Sequence, residues 1–98
     1  MLTLPIKKKW YDMILSGEKE EEYRDITPYY NQRLARHLDV NGNTITTIKL
    51  RNGYSKDSPT MICDVKIDID VGLESWGAQL DTYYYVLRIL NRKEITNA

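Results

Sequence analysis

The sequence predicts a single α+β domain, spanning residues 1–98, in which a small β-barrel of about five strands carries two helices in its N-terminal half. The first observation is length, because 98 residues suffice for one modest hydrophobic core and leave no room for a second domain. The second is periodicity, since five segments alternate in polarity whereas two early segments place apolar residues at helical spacing. Five strands in so short a chain favour a strongly curved sheet around one core.

A strand, a helix, a strand and a helix are predicted in that order in the N-terminal half. Residues 2–6 alternate in polarity and contain a proline, which favours the edge of a sheet. The next segment, KKWYDMILSG, is typical of a short amphipathic helix that ends at its glycine. Residues 20–26 lack a helical apolar stripe and predict a second strand. Thr27 and Pro28 then suit the N-cap and the first position of a second helix that reaches Leu38.

Three further strands are predicted in the C-terminal half. The segment TITTIKLRNG alternates in polarity and ends at an Asn-Gly turn. Thr60–Val71 has the clearest alternation in the chain, which predicts a strand with one face in the core. The segment TYYYVLRILNRKEI predicts the last strand, bent near Asn91, with its consecutive tyrosines in the core on alternate faces. The core positions expected in the long strand are Met61, Cys63, Val65, Ile67, Ile69 and Val71.

The charge balance excludes a strongly basic surface over the whole chain, because 14 basic residues are matched by 14 acidic ones. Binding to a polyanion therefore needs a local cluster of lysines and arginines. Three candidate clusters are the run Lys7–Lys9, the pair Arg33 and Arg36 one helical turn apart, and the group Arg88, Arg92 and Lys93 near the end of the sequence.

Membrane, metal and cofactor functions find no support in the sequence. The N-terminal segment lacks the apolar core of a secretory signal, and no apolar run approaches the ~20 residues that cross a membrane, so we expect a cytoplasmic protein with no membrane partner. No Cys/His or His/carboxylate spacing indicates a metal site, and we expect no cofactor. The single cysteine, Cys63, lies in a predicted core strand and away from the single histidine, His37, which favours a buried apolar role over a catalytic thiol.

The segment SGEKEEEYRD is the most unusual stretch, because it places four glutamates, a lysine and an arginine in one turn and one predicted strand. Its charges have two interpretations. They form either exposed salt bridges, worth about 0 to 1 kcal/mol per pair, or one face of a ligand cleft. Strict alternation puts Glu22 and Arg24 on one face and Lys19 on the other. A shared cleft therefore requires the turn after Gly17 to bring Lys19 round to the same side.

A family resemblance favours the cleft. Gly17, Lys19, Glu22 and Arg24 fit the pattern G-x-K-x-x-E-x-R directly after a short helix. Together with LRNGYSKDSPTM, LESWGAQ and YYYVLRI, this pattern resembles the ASCH domain family, named for homology to activating signal cointegrator and built on a PUA-like barrel. The resemblance covers nearly the whole chain. It implies a cleft that binds RNA or a modified nucleoside or nucleotide, with the motif lysine, glutamate and arginine as ligand contacts.

The chemistry of these three side chains suits such a ligand. Arginine offers a planar fork to a phosphate or a base edge, and lysine offers a point charge to a phosphate. Glutamate accepts a hydrogen bond from an exocyclic amine such as that of cytosine. We expect Arg24 to be a ligand contact whose removal leaves the fold intact.

An enzymatic function is the alternative, with Lys19 and Glu22 as the candidate catalytic residues. Some bacterial relatives resemble amidohydrolases that deacetylate acetylated cytidine with the motif lysine and a threonine at the position of Glu22. A carboxylate does not readily replace a hydroxyl nucleophile, so the sequence favours binding without turnover. Other relatives resemble ribonucleases, for which this chain has no histidine pair and offers only Lys19 as a base.

Three residues outside the motif are further ligand-binding candidates. Trp76 is either a stacking platform for a base or a lid over one end of the barrel. Arg51 and Tyr54 flank the Asn-Gly turn, where they reach a ligand phosphate and ring or simply form a surface turn. A protein-interaction module with no ligand is the third function class, and it predicts an exposed apolar patch without a cleft.

Overall fold

A computed structural model describes residues 1–95 and contains five strands, two α-helices and two short 3₁₀ turns. The chain order alternates strands and helices at first and then consists mainly of long strands. The elements are β1 (Leu2–Ile6), α1 (Lys8–Ser16), β2 (Glu21–Asp25), α2 (Pro28–Leu34), a 3₁₀ turn (Ala35–His37), β3 (Thr46–Asn52), β4 (Thr60–Val71), a second 3₁₀ turn (Glu74–Trp76) and β5 (Tyr83–Ile95).

The five strands form one curled, half-barrel sheet in the order β1-β3-β4-β5-β2. β1 runs parallel to β3, and the other neighbours are antiparallel. The strands nearest the N-terminus, β1 and β2, are therefore the two edges of the sheet. The predicted fold class, a small α+β barrel of about five strands with two N-terminal helices, is confirmed.

A bulge between the two longest strands adds to the curvature. Asp64 pairs with Asn91 and Val65 pairs with Ile89, so Leu90 is an extra residue on β5. An extra residue on one strand bends it and increases its local twist. The bend predicted near Asn91 is thus confirmed.

The helix ends follow the local signals in the sequence. Gly17 ends α1 in the left-handed conformation, at φ 88°, and its N–H donates to Ile14 O. The Thr27 hydroxyl accepts a hydrogen bond from the backbone N–H of Tyr30 at the start of α2. α2 ends at Leu34 and continues only as a 3₁₀ turn, so the helix is shorter than predicted.

The main core fills the concave side of the sheet, and both helices contribute to it. Tyr11 and Ile14 come from α1 and Leu34 from α2, each with at most 1% of its surface exposed. Cys63 lies in the same core, and burial raises the pKa of its thiol to about 11. The thiol is therefore neutral at neutral pH, as expected for a small apolar side chain.

Two predictions about the core are wrong in part. Ile69 and Val71 are 47% and 46% exposed, because β4 extends beyond the part of the sheet that the helices cover. Tyr83, at the start of β5, is 63% exposed. The next two tyrosines behave as predicted: Tyr85 joins the main core, whereas Tyr84 joins a small second cluster on the convex face.

Residues 1–95 contain no helix that is both long enough and apolar enough to cross a membrane. The same residues contain no group of three or more His, Cys, Asp or Glu side chains arranged to hold a metal ion.

Two isoleucines on β4 provide a test of where the core ends. We expect Ile67→Ala to lower the free energy of unfolding by about 2 to 5 kcal/mol, because Ile67 is fully buried. Ile69→Ala, two residues further on the same strand, should cost about 1 kcal/mol or less. Urea unfolding of both variants measures the difference, and equal losses would contradict the described end of the core.

Candidate ligand-binding cleft

A cleft of about 710 Å³ opens where β1 and β3 end, beside the edge strand β2. Its walls come from the start of both helices, from β2, from the turn after β3 and from the second 3₁₀ turn. Five aromatic side chains line it: Trp10, Tyr23, Tyr30, Tyr54 and Trp76. Lys19, Glu22 and Arg24 also line this one cleft, so the structure brings the three motif residues together.

Lys19 is almost completely buried, with 1% of its surface exposed. Its ammonium group donates a hydrogen bond to the backbone carbonyl of Trp76 and lies 3.1 Å from Oε1 of Glu22. The rings of Trp10 and Tyr23 surround it, with centroids 4.4 and 5.1 Å from Nζ. Burial lowers the pKa of Lys19, and the negative charge of Glu22 opposes that shift.

Lys19 reaches its buried position because of the way α1 ends. Gly17 reverses the chain direction after α1, and the backbone N–H of Lys19 donates to Met13 O at 2.9 Å. β2 begins only at Glu21, so strand alternation does not apply to Lys19. The turn after Gly17 therefore turns the lysine toward Glu22, as the shared cleft requires.

Glu22 connects two cations through its two carboxylate oxygens. Oε1 faces Lys19, and Oε2 accepts a hydrogen bond from Nη2 of Arg24 at 2.7 Å. Only 7% of the glutamate side chain is exposed. Its backbone pairs with Leu87 of β5, which places the side chain on the core face of the sheet. We call Lys19, Glu22 and Arg24 the ion network.

Arg24 links the two edges of the sheet. From β2, its Nη2 donates to the backbone carbonyl of Pro5 on β1 at 2.9 Å, and its Nη1 donates to the Tyr30 hydroxyl at 3.2 Å. Burial lowers the pKa of Arg24, but the charge of Glu22 outweighs it and the net shift is upward. Arg24 is thus a permanent cation with three protein partners and a 10% exposed side chain. It lines the cleft and also supports the fold, which the sequence did not indicate.

The interpretation as exposed salt bridges does not fit this geometry, because all three side chains are at least nine-tenths buried. The charged residues that line the cleft are three cations and two carboxylates: Lys7, Lys19, Arg24, Glu22 and Asp25. The cleft therefore carries one net positive charge. A cleft with fixed positive charge and aromatic walls is suited to a planar ligand with negative or electron-rich groups.

The three other predicted site residues lie in different places. Tyr54 and Trp76 line the cleft, and Tyr54 is 90% exposed. Arg51 lies outside the lining, and its backbone is paired in the sheet with Pro5 on one side and Thr60 on the other. Its Nε is buried without a hydrogen-bond partner among residues 1–95.

The wall that carries Trp76 is held by contacts from three directions. The Tyr23 hydroxyl donates a hydrogen bond to Glu21 and accepts one from the backbone N–H of Leu73 at 2.9 Å. Burial raises the pKa of Tyr23, so the hydroxyl stays protonated and can act as the donor. Gly77 packs against Trp10 so closely that a Cβ atom there would lie 2.9 Å from the indole ring. With the Lys19 hydrogen bond, these contacts fix the wall before any ligand arrives.

Sequence reasoning missed three aromatic residues of the cleft. The sequence pattern gives Trp10 and Tyr30 only helical positions, and strict strand alternation puts Tyr23 on the face of β2 opposite Glu22 and Arg24. One signal was present, since each of the three lies within eleven residues of Lys19. Their convergence depends on the tertiary fold.

Comparisons with protein-family models, curated proteins and solved structures found no match to this chain. Membership of the ASCH family therefore stays a prediction.

Replacing the shared carboxylate should be far more costly than replacing a neighbouring one. Glu22→Gln keeps the shape of the side chain but leaves two buried cations without an anion, and we expect a loss of about 3 to 5 kcal/mol in unfolding free energy. Glu21→Gln is the matched control, because Glu21 pairs with the more exposed Arg88 and should cost about 1 kcal/mol or less. Equal losses in urea unfolding would contradict a structural role for the ion network.

Titration of the lysines should distinguish Lys19 from the others. Because burial outweighs the attraction of Glu22, its pKa should lie below the ordinary value of 10.5. Between the lowered pKa and 10.5 the unfolded chain binds more protons, so this lysine makes folding more favourable as pH rises through that window. Carbon-13 NMR at the Cε position of Lys19 measures its pKa. A value at or above the ordinary 10.5 would contradict the direction.

Proposed function

We propose that the protein is an ASCH-type domain that binds RNA, or a modified nucleoside or nucleotide, in the cleft described above. The observation that carries the proposal is the combination of five aromatic side chains with a net positive charge in one preformed cavity. Aromatic faces stack on bases of any sequence, and nearby cations attract phosphate. The proposal places the protein in the cytoplasm, where its unpaired Cys63 stays reduced.

Two aromatic residues are best placed to stack on a base. Tyr54 is 90% exposed in the turn after β3, and Trp76 is partly exposed in the second 3₁₀ turn. Neither belongs to the clusters of the hydrophobic core. A base stacked on either ring would replace water on an apolar surface.

The ion network supplies the polar contacts at the back of the cleft. Three of the five guanidinium N–H groups of Arg24 have partners among residues 1–95, which leaves two for a carbonyl or phosphate oxygen of the ligand. Glu22 holds the guanidinium in place, so ligand binding does not have to order the Arg24 side chain. Preformed geometry of this kind favours recognition of a defined chemical group over non-specific charge attraction.

The hydrolase alternative receives less support from the lining. Among residues 1–95, the cleft is lined by no serine, threonine or cysteine that would attack an acyl carbon. Lys19, the candidate base, is bonded to Trp76 and paired with Glu22. These features favour binding without turnover. Acetate release from acetylated cytidine that is abolished in Lys19→Met would support the hydrolase instead.

Substitution of Tyr54 and Trp76, the two aromatic residues at the rim of the cleft, tests the proposal directly. Binding of the four common ribonucleoside monophosphates and of acetylated cytidine is measured by calorimetry. We expect Tyr54→Ala and Trp76→Ala each to weaken binding of the best ligand by about 5- to 150-fold, the range for loss of one stacked base. Stability should change little for Tyr54→Ala, because that side chain is exposed.

Tyr83→Ala is the matched control, since Tyr83 is an exposed tyrosine outside the cleft lining. Its affinity should equal that of the unmodified protein. An equal effect of Tyr54→Ala and Tyr83→Ala, or no binding of any nucleotide or of hexanucleotides of the same bases, would refute the proposed function.

A further inference from the structure

A second, smaller groove lies at the other end of β1 and differs from the cleft in its charge. It has a volume of about 410 Å³ and lies between the start of β1, the start of β3 and the last part of α2 with its 3₁₀ turn. Three of its side chains are Arg33, Arg36 and His37. No lining residue carries a carboxylate, whereas the cleft contains two.

The two arginines of this groove are not neutralised by the protein. Among residues 1–95, none of the ion pairs includes Arg33 or Arg36. Lys19, Arg24 and Arg88, by contrast, are each paired with a carboxylate. Two adjacent guanidinium groups without an anion form a local positive site on a chain whose net charge is zero.

Both arginines are oriented by contacts that leave donors open. Arg33 lies over the Tyr29 ring, 3.4 Å from its centroid, and Nη1 donates to Tyr29 O. Arg36 donates from Nε to Nε2 of His37 at 3.3 Å, which leaves both of its terminal nitrogens available. Terminal guanidinium nitrogens bind the oxygens of a phosphate in a bidentate manner.

The groove and the cleft are connected along α2. Tyr30 lines the cleft and Arg33 lines the groove. Residues three apart lie on the same side of a helix, about 5 to 6 Å apart at Cβ. β1 borders both cavities, with Leu2 in the groove and Ile6 in the cleft, a separation of about 13 Å along the strand.

We propose that this groove binds backbone phosphates of a single-stranded nucleic acid whose base occupies the cleft. The inference rests on the proposed function and makes it more specific: the ligand is an oligonucleotide that extends along α2, and a free nucleoside occupies only the cleft. A strand that covers about 13 Å needs about four nucleotides or fewer, since stacked strands rise 3.4 Å per phosphate. The groove adds two positive charges to the single net positive charge of the cleft.

The length of the ligand tests this inference. The best-binding monophosphate from the calorimetric panel is compared with the hexanucleotide of the same base, as RNA and as DNA, at several salt concentrations. We expect the hexanucleotide to bind at least about tenfold more tightly, the gain from one or more charge-assisted contacts. In Arg33→Gln/Arg36→Gln this gain should disappear, and the slope of log K against log salt should become less negative by about 1.4, the value for two lost phosphate contacts on a single strand.

The monophosphate itself should bind equally well to the unmodified protein and to the double variant. The matched control is Lys56→Gln/Lys93→Gln, which removes the same charge from exposed positions outside the lining of both cavities. Arg36→Gln alone provides a second variant, because Arg36 is exposed and packs on no aromatic ring among residues 1–95.

The outcomes separate this inference from the proposed function. If the monophosphate binds but the hexanucleotide binds no more tightly, or if both double variants lose affinity equally, the phosphate groove is refuted and the cleft proposal stands. If neither ligand binds, the proposed function fails and the inference fails with it. Equal affinity for RNA and DNA supports backbone contacts at phosphate, whereas a preference for RNA places the discrimination in the cleft.

Discussion

Glu22 is the constraint on which this structure depends, because its one carboxylate pairs with two buried cations, one in the turn before β2 and one on β2. Burying a lone ammonium or guanidinium group costs several kcal/mol, so Lys19 and Arg24 are tolerated only where they share this anion. The requirement fixes the turn after α1, the register of β2 on β5 and the approach of β2 to β1 at Pro5. The two edge strands do not pair with each other. The hydrogen bond from the Arg24 side chain to the backbone carbonyl of Pro5 links them across the open side of the half-barrel.

The same network divides the cleft residues into two kinds. The charged residues at the back have their hydrogen bonds within the protein, and the backbone carbonyl of Trp76 is one of their acceptors. The aromatic residues at the rim, Tyr54 above all, have exposed rings. Rigid polar groups behind exposed aromatic surfaces reduce the entropy that binding must overcome. Stability of the fold therefore depends on the ion network, whereas affinity in the proposed function depends on the exposed aromatic rings and on the two Arg24 N–H groups without a partner among residues 1–95.

Much of the fold could be predicted from local signals, since the alternation of Thr60–Val71, the cap at Gly17 and the Thr27–Pro28 pair all act over a few residues. The end of the core could not be predicted, because Ile69 and Ile67 have the same local pattern and differ only in what covers them. In the cleft, the motif identified the three charged residues, and the glycine indicated how Lys19 could join them. The dual role of Arg24 depends on Pro5, which lies 19 residues away and contributes only a backbone carbonyl that no sequence pattern marks.

The exposed edges of an open sheet usually attract strands from other chains and so promote aggregation. In this protein the two edges are β1 and β2, and both are unsuitable templates. Pro5 interrupts the donors of β1, and its carbonyl is already bound by Arg24. Asp25 at the end of β2 is exposed and Glu21 is partly exposed, so an incoming apolar strand would have to desolvate charged groups. The composition that makes this segment conspicuous thus lets a half-barrel remain open without recruiting a sixth strand from a neighbouring molecule.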